Sequence, residues 1–310
     1  MPELPEVETT KKSLEPLLNQ KVQAVRLYQP KLRWQIPADI DELEGYRLTK
    51  LNRRAKYLIL DFEKATSFFH KESVNGRGST QKSLIIHLGM SGSLQQYPKQ
   101  TDKRKHDHLI VEFVEDASKI TQLHYHDPRK FGAVLWADVI DESGKTYRQR
   151  LLDHLGVEPA DDAFDANYLY RYIHRLDADG NKISKQAKPI SRAIKSVIME
   201  QKVVVGVGNI YATESLFLSS IHPSTPANVL TPEQLSLLVA HIKSVLATAI
   251  KKGGSTLKDF TVGGGTTGYF QQTLLVYGKD KQPCPTCKTM IESVKINGRA
   301  STFCPKCQPL

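Results

Sequence analysis

The chain has 310 residues, and its 43 Lys and Arg against 33 Asp and Glu give a formal net charge of +10 and a pI near 9.3. This length suits two domains with a substantial buried interior, and the excess of positive charge predicts a polyanionic partner such as nucleic acid. Because no run of about 18 apolar residues predicts a membrane span and the N-terminus lacks the apolar core of a signal peptide, we expect a cytosolic protein with no membrane partner.

The first half of the chain is predicted to be antiparallel β-structure behind one helix. The helix is expected from about Pro5, because proline and acidic residues favour a first helical turn, and Val7, Leu14, Leu17 and Leu18 are placed along one face. Runs rich in β-branched and aromatic residues predict strands at 57–62, 84–88, 109–114 and 132–136.

The second half is predicted to be helical. From about residue 147 the apolar spacing follows the helical period, and residues 232–252 predict an amphipathic helix. The polar stretches 64–82 and 177–188 have little apolar periodicity, so we expect solvated loops there.

All four cysteines lie near the C-terminus in two C-x-x-C pairs: Cys284, Cys287, Cys304 and Cys307. Paired C-x-x-C motifs are typical of a structural Zn2+ site with four thiolate ligands. Two disulfides are the alternative, which a reducing compartment disfavours. Between the pairs, strand-like residues 290–296 and 300–303 flank Asn297-Gly298, which predicts a β-hairpin held by one Zn2+.

Two positively charged or amide-rich features could bind phosphate. Arg299 follows the hairpin turn, where its guanidinium could bind a phosphate through two hydrogen bonds or could be an arginine with no special role. Gly206 and Gly208 allow a tight turn before a helix that opens at Asn209. Free amides at that helix N-terminus would attract a phosphate, and the alternative is a connection in which Asn209 is only a structural cap.

The N-terminus offers a nucleophile if Met1 is removed. Pro2 would then carry a free secondary amine, and an α-amine has a pKa of about 7.7–8.0, which leaves a useful neutral fraction near neutral pH. Such an amine can attack an aldehydic sugar carbon while a neighbouring carboxyl group such as Glu3 or Glu6 moves protons. Proline followed by glutamate at this position is also common without such chemistry.

Six blocks in order resemble the bacterial formamidopyrimidine-DNA glycosylases, also called 8-oxoguanine glycosylases. They are MPELPEVET (1–9), RRAKY (53–57), HLGMSG (87–92), DPRKFG (127–132), GVGNIYA (206–212) and the zinc hairpin. The resemblance implies an α+β multidomain fold. Residues 1–146 would form an antiparallel β-sandwich with flanking helices, 147–276 a helical helix–two-turn–helix DNA-binding domain, and 277–310 a β-hairpin zinc finger.

The resemblance also implies a monomeric DNA glycosylase and abasic-site lyase of the bacterial cytosol and nucleoid. It would excise oxidised purines, 8-oxoguanine and formamidopyrimidines, from double-stranded DNA in base excision repair and cleave the strand by β,δ-elimination. Pro2 would form a Schiff base, Glu3 would donate a proton, and Lys56 and Arg299 would serve the two eliminations. An endonuclease VIII-like enzyme for oxidised pyrimidines and a non-catalytic DNA-binding protein are the alternatives.

The same resemblance implies a set of DNA contacts. Met90, Arg129 and Phe131 would fill the gap that a flipped base leaves, although without the resemblance Met90 and Phe131 would be interpreted as core residues. The remaining predicted contacts are His106, Lys195 and Asn209. The alternating histidines at 106 and 108 and at 124 and 126 could ligate a metal, but the resemblance implies no second metal site. A glycine-rich segment, 257–270, would be a mobile loop over the flipped base.

Overall fold

The computed structural model describes residues 2–66, 78–97, 101–115, 119–254 and 274–310. These residues form two compact units. The N-terminal unit comprises Pro2 and Glu6–Asp153, and the C-terminal unit comprises Glu3–Pro5, His154–Gly254 and 274–310.

Helix α1 comes first among the described residues, and eight antiparallel strands follow it in the described part of the N-terminal unit. Their bounds are α1 Leu4–Ser13, β1 Lys21–Leu27, β2 Arg47–Arg54, β3 Tyr57–Thr66, β4 Gly78–His87, β5 Ser93–Tyr97, β6 Asp107–Val114, β7 Ile120–His126 and β8 Ala133–Trp136. The strand order is β5-β7-β6-β1-β2-β3-β4-β8. The pairing of β1 with β2 is reduced to Lys21 opposite Arg47, so the sheet consists of two four-stranded halves.

One hydrophobic core joins the two halves of this sheet. Phe113 and Tyr125 come from one half, and Leu60, Phe62 and Ile86 come from the other, and all five are buried in the same cluster. Successive side chains of a strand point to opposite faces, so one face of each half packs against the other half in this cluster. The predicted antiparallel β-sandwich is therefore confirmed.

Two local predictions in this unit need correction. Helix α1 ends at Ser13, and Leu14 and Leu17 are buried through the following 3-10 turn, Glu15–Leu17, rather than along the helix face. Pro16 within that turn cannot donate the hydrogen bond that would extend an α-helix. The predicted loop 64–82 is also too long, because β3 extends to Thr66 and β4 starts at Gly78, with Lys64 opposite Thr80. The backbone pairing of β3 with β4 continues into this stretch although its sequence has no regular alternation of apolar residues. Residues 67–77 lie outside the described part of the chain.

Helices dominate the C-terminal unit. Helix α2, Tyr147–Leu152, still belongs to the N-terminal unit, and the helices that follow are α3 Ala166–His174, α4 Ile194–Ile198, α5 Asn209–Leu218 and α6 Pro232–Lys251. The predicted helix α6 is confirmed and starts with a capping box between Thr231 and Gln234. By length and composition alone α6 could cross a membrane, but its residues Leu238 and Ile242 are fully buried in the unit, as in a core helix.

The C-terminal hairpin has the predicted form. Strand β9, Glu292–Ile296, pairs with β10, Arg299–Phe303. Asn297 and Gly298 both have positive φ, 48° and 75°, which is the backbone of a two-residue hairpin turn. Residues 177–188 contain no helix or strand, in agreement with the predicted loop.

Candidate functional site

The N-terminus of α5 is capped by a carboxylate from the start of the chain. Glu3 is 2% exposed. Its carboxylate accepts hydrogen bonds from the backbone N–H groups of Gly208 at 3.0 Å and Ile210 at 3.1 Å. An anion at this position gains from both the free amides and the helix dipole. Asn209 is therefore the first residue of the helix and not its cap, and the anion at this turn is the protein's own Glu3.

The two glycines of this turn leave room for the residues that follow Pro2. A Cβ on Gly208 would lie 2.2 Å from Cδ of Glu3, and a Cβ on Gly206 would lie 2.4 Å from the Leu4 side chain. Leu4 also donates its backbone N–H to the Gly206 carbonyl at 3.2 Å. The glycines are therefore required by close packing against Glu3 and Leu4.

Lys195 and Asn209 converge on the zinc hairpin. Lys195 is 1% exposed, and its Nζ donates to Ser301 Oγ at 2.7 Å and to the Ala300 carbonyl at 3.3 Å. Asn209 Nδ2 donates to the same carbonyl at 3.2 Å. Burial lowers the pKa of Lys195 to about 8, with the Glu3 carboxylate opposing and the Arg299 guanidinium adding to this decrease. The two predicted DNA contacts, Lys195 and Asn209, therefore bind β10 at the residues that directly follow Arg299.

Arg299 is exposed at the start of β10. It borders a cavity of about 180 Å³ that is also lined by Lys195, Glu200 and Asn297. Asn297 Nδ2 donates to Ser196 Oγ at 3.0 Å, which ties the hairpin turn to α4. The contact with α4 fixes the position of the hairpin that carries Arg299. The Arg299 guanidinium is exposed and is therefore accessible to a phosphate.

In the N-terminal unit, Lys56 lies in the tight turn between β2 and β3. It is 8% exposed, and the preceding Ala55 has a positive φ of 54°. The register places Tyr57 opposite His87 at the end of β4, and their rings lie 4.9 Å apart. Burial, followed by the positive charges of Lys56 and Arg33, lowers the pKa of His87 to about 4.

The residues predicted for the site do not include His87. Its imidazole Nδ1 accepts the backbone N–H of Gly89 at 3.1 Å, which is the role of a neutral ring. The sequence carries a signal for this residue, because His87 opens the block HLGMSG. Its proximity to Lys56 follows only from the pairing of β3 with β4, which the sequence alone does not specify.

Met90 and Phe131 are exposed by 38% and 44%, so the alternative that they are core residues is wrong. Arg129 places its guanidinium 5.0 Å from the centre of the Phe131 ring, within the range of a cation–π interaction. The three predicted gap-filling residues therefore lie on the surface of the N-terminal unit.

The buried Asp127 links the two loops that carry these side chains. It accepts hydrogen bonds from Ser91 Oγ at 2.7 Å and from the backbone N–H of Gly132 at 2.9 Å. Ser91 Oγ in turn accepts the backbone N–H of Arg129 at 3.1 Å. Gly89 allows the loops to meet, because a Cβ there would lie 2.4 Å from the backbone of Phe131.

The histidines at 106, 108, 124 and 126 do not gather around a metal. His106 is partly exposed in the turn before β6, and its pKa is lowered, first by desolvation and then by the nearby His126 and Lys105. The ring of His108 lies 2.7 Å from the Asp127 carbonyl, and His124 and His126 both contact Asp107. Within the described ranges, only the four cysteines form a cluster suited to a metal ion.

The cysteine cluster fits a single Zn2+. The four Sγ atoms lie within 4.8 Å of one another, Cys284 and Cys304 are buried, and they pack with Phe217, Val276 and Ile291. Four convergent thiols leave no coordination position open, which is typical of a structural zinc site. The predicted mobile segment 257–270 lies outside the described residues.

Comparison with protein families accounts for most of the chain. Residues 1–134 match the Formamidopyrimidine-DNA glycosylase N-terminal domain, and residues 155–261 match the Formamidopyrimidine-DNA glycosylase H2TH domain. Residues 281–310 match the zinc finger found in FPG and IleRS. The cysteine cluster is therefore the site of one structural Zn2+.

Relatives and solved structures agree over the whole length. A Formamidopyrimidine-DNA glycosylase of Psychrobacter arcticus is 56% identical, and the match covers 100% of this chain and 99% of the relative. A complex of a mutant Lactococcus lactis FPG with Fapy-dG-containing DNA matches with a TM-score of 0.78 at 31% identity, covering 100% of both chains. A MutM complex with carbocyclic 8-oxo-G-containing DNA matches with a TM-score of 0.77 at 32% identity, again covering 100% of both chains. The chain is therefore an enzyme of the formamidopyrimidine-DNA glycosylase family.

Proposed function

We propose that this enzyme excises oxidised purines, 8-oxoguanine and formamidopyrimidines, from double-stranded DNA and then cleaves the strand at the resulting abasic site. Matched structures were crystallised with DNA containing Fapy-dG and carbocyclic 8-oxo-G, which supports this class of substrate. The observation that carries the proposed chemistry is the Glu3 carboxylate, which two backbone amides hold in place directly after Pro2 in the chain.

Pro2 acts as the nucleophile once Met1 is removed. Its amine nitrogen forms a bond to C1′ of the damaged nucleotide as the bond from C1′ to the base breaks, and the departing base takes up a proton from the solvent. Glu3 accepts the amine proton and returns a proton to the sugar ring oxygen, so that the ring opens and a Schiff base remains. The hydrogen bonds from Gly208 and Ile210 hold the Glu3 carboxyl group in position for these transfers.

Two eliminations follow from the Schiff base. Loss of a proton from C2′ expels the 3′ phosphate, and a second elimination expels the 5′ phosphate. Lys56 serves the first step, and its burial beside Tyr57 and His87 restricts its motion. Arg299 serves the second step by binding the departing phosphate, because a guanidinium is a poor proton donor.

The exposed side chains of the N-terminal unit act on the DNA. Met90 and Phe131 enter the gap left by the flipped nucleotide, and Arg129 contacts the base that has lost its partner. His106 binds a backbone phosphate.

Lys195 and Asn209 bind phosphate from the C-terminal unit. A lysine ammonium has three donors, and Ser301 and Ala300 accept two hydrogen bonds from Lys195. A phosphate can therefore bind Lys195 without releasing the hairpin.

We further propose a division of labour along the chain. Residues 1–146 form the catalytic domain, 147–276 the DNA-binding helical domain, and 277–310 the zinc finger that carries Arg299. The enzyme acts as a monomer in the cytosol and nucleoid, where its net charge of +10 favours binding to DNA.

Borohydride trapping tests this function. Reduction of the Schiff base should link the Met1-processed protein covalently to a duplex containing 8-oxoguanine, and the crosslinked peptide should begin at Pro2. A variant with an N-terminal extension that blocks the amine should still bind the duplex but should not be trapped. Failure of the processed protein to trap would refute the mechanism, and faster single-turnover cleavage of a thymine-glycol duplex would instead favour oxidised pyrimidines.

A further inference from the structure

The turn that carries His106 is fixed by one buried carboxylate. Asp107 is 1% exposed, and it accepts hydrogen bonds from Arg104 Nη2 at 2.8 Å and from the Arg104 backbone N–H at 2.9 Å. The Nδ1 atoms of His124 and His126 lie 3.0 and 2.9 Å from its two oxygens. Burial alone would raise the pKa of Asp107, but the hydrogen bonds from His124, His126 and Arg104 outweigh burial and hold this pKa well below its usual range. Asp107 is therefore an ionised, acceptor-only group.

The other side of the His124 ring faces the side-chain amide of Gln122. The hydrogen-bond partners of Gln122 determine which way this amide is turned. Gln122 Oε1 accepts the backbone N–H of Thr101 at 2.8 Å, and Gln122 Nε2 donates to the Glu112 carboxylate at 2.8 Å. The reversed amide would place its oxygen against the carboxylate and its NH2 group against the Thr101 N–H. Both contacts would be repulsive, so the atom that faces His124 is the carbonyl oxygen of Gln122.

Asp107 and Gln122 determine which nitrogens of the His124 ring carry a proton. Its Nδ1 faces the Asp107 carboxylate, and its Nε2 lies 3.1 Å from Gln122 Oε1. Both partners are acceptors, so both ring nitrogens must donate, and only the doubly protonated imidazolium does so. His124 is 0% exposed, so a neutral ring would leave one buried contact between two acceptors, which is costly in the protein interior.

We infer that His124 is a buried imidazolium that, together with Arg104, holds Asp107 and thereby positions the turn that presents His106 to DNA. The turn is closed by the backbone N–H of Asp107, which donates to the Arg104 carbonyl at 3.1 Å. The His106 carbonyl accepts the backbone N–H of Asp127 at 3.0 Å. His106 is thus anchored through its backbone while its ring is left at the surface. His124 is a positioning residue, and this role rests on the proposed DNA contact of His106.

The charged groups around His124 come from each neighbouring segment. Asp107 lies on β6, Arg104 lies in the turn and also stacks on Tyr97 of β5 at 5.5 Å, and His126 lies on β7. The Tyr97 ring lies 4.6 Å from the His124 ring. Beyond Gln122 lies Glu112, which is paired with Arg26. One carboxylate and one guanidinium therefore lie close to the ring, and loss of one His124 proton would turn its contact with either Asp107 or Gln122 into a contact between two acceptors.

Nitrogen NMR of the imidazole rings tests the protonation state without DNA. With His124→Gln used to assign the signal, both nitrogens of His124 should show the shifts and the attached protons of an imidazolium at about pH 7.5, where an ordinary histidine is mostly neutral. A signal with one protonated and one bare nitrogen would overturn the inference.

Binding to a duplex with an uncleavable tetrahydrofuran abasic-site analogue tests the positioning role. His124→Gln should weaken binding about fivefold to tenfold, whereas His124→Arg, which keeps the cation, should stay within about twofold. The exposed His154→Gln is the matched control and should bind as the wild type does.

A double-mutant cycle with His106→Ala shows whether the effect passes through that side chain. If it does, adding His124→Gln to His106→Ala should weaken binding by no more than about twofold further. If the two substitutions instead weaken binding independently, so that their fold-changes multiply in the double variant, the positioning role is overturned even if the enzyme cleaves 8-oxoguanine DNA. Absence of lesion binding by the wild type would refute the proposed function instead, and the NMR signature would still decide the charge on His124.

Discussion

The carboxylate of Glu3 lies 3.0 Å from the backbone nitrogen of Gly208, 205 residues away in the sequence. The residue that follows the proposed nucleophile is therefore held by the first turn of α5. This contact joins two tasks in one side chain, because Glu3 both caps a helix and moves protons in the proposed reaction.

Replacing Glu3 with Gln should separate these tasks. The amide oxygen can accept only one of the two backbone N–H groups, and the amide NH2 group would face the other, so we expect the free energy of unfolding to fall by about 1–3 kcal/mol. Base removal should slow by about a hundredfold or more, because a proton-transfer group is lost. Single-turnover excision of 8-oxoguanine and urea denaturation measure the two effects. The exposed Glu15→Gln is the control, and an excision rate that Glu3→Gln leaves unchanged would contradict the proton-transfer role.

Gly208→Ala should displace Glu3 by steric conflict alone. Gly208 has a φ of −113°, which any residue adopts, but the new Cβ would lie 2.2 Å from the Glu3 carboxyl carbon. We expect a loss of about 1–3 kcal/mol in unfolding free energy and little borohydride trapping. In Gly180→Ala the new Cβ meets nothing within 4 Å, so only backbone strain of about 1 kcal/mol remains and trapping should persist. Normal trapping by Gly208→Ala would show that Glu3 does not need this position.

The double variant Met90→Ala, Phe131→Ala should lose lesion binding without losing stability. Both side chains are exposed by more than a third, so the unfolding free energy should change by no more than about 0.5 kcal/mol per site. Binding to a lesion duplex should weaken about tenfold or more, because the gap opposite the flipped base stays empty. Val139→Ala, an exposed apolar residue of the same unit, should bind normally. A large drop in melting temperature would contradict the surface role.

The stability of the N-terminal unit should fall in acid partly because of His87. Its pKa is lowered from 6.5 to about 4 in the folded protein, so between these values the unfolded chain binds a proton that the folded chain does not. Stability is therefore lost as the pH decreases from about 6.5 to about 4, by up to about 3 kcal/mol before solvent screening of the partly exposed ring reduces it. Denaturation of His87→Gln should show a shallower slope in this window, and an unchanged slope would contradict the assignment.

Removal of zinc should disable the hairpin that carries Arg299. We expect one Zn2+ per chain by metal analysis, and loss of this ion in Cys304→Ser should unfold 284–307 because the metal supplies much of the folding energy of such a small element. Lesion binding should then fall, while Ser293→Ala on the exposed face of β9 should leave it unchanged. Folded protein without stoichiometric Zn2+ would refute the site.

Features set by short-range patterns could be predicted from the sequence. The cysteine spacing and Asn297-Gly298 specify a zinc hairpin, because ligand geometry and a positive-φ turn involve only nearby residues. The period of apolar residues predicts α6 and the sandwich strands for the same reason. The six blocks that resemble the glycosylase family indicate the enzyme class by residue identity and order alone.

Only the tertiary structure decided which partner each polar group has. The sequence allows Asn209 to cap α5, but the cap is Glu3, which is distant in sequence. Lys195 is buried against Ser301, and His124 lies between two acceptors that arrive from other segments. The charge and accessibility of these side chains depend on burial and on hydrogen-bond partners that meet only when distant strands and helices pack. Sequence therefore determined which chemical groups are available, and packing determined which of them lie at the surface and which lie inside.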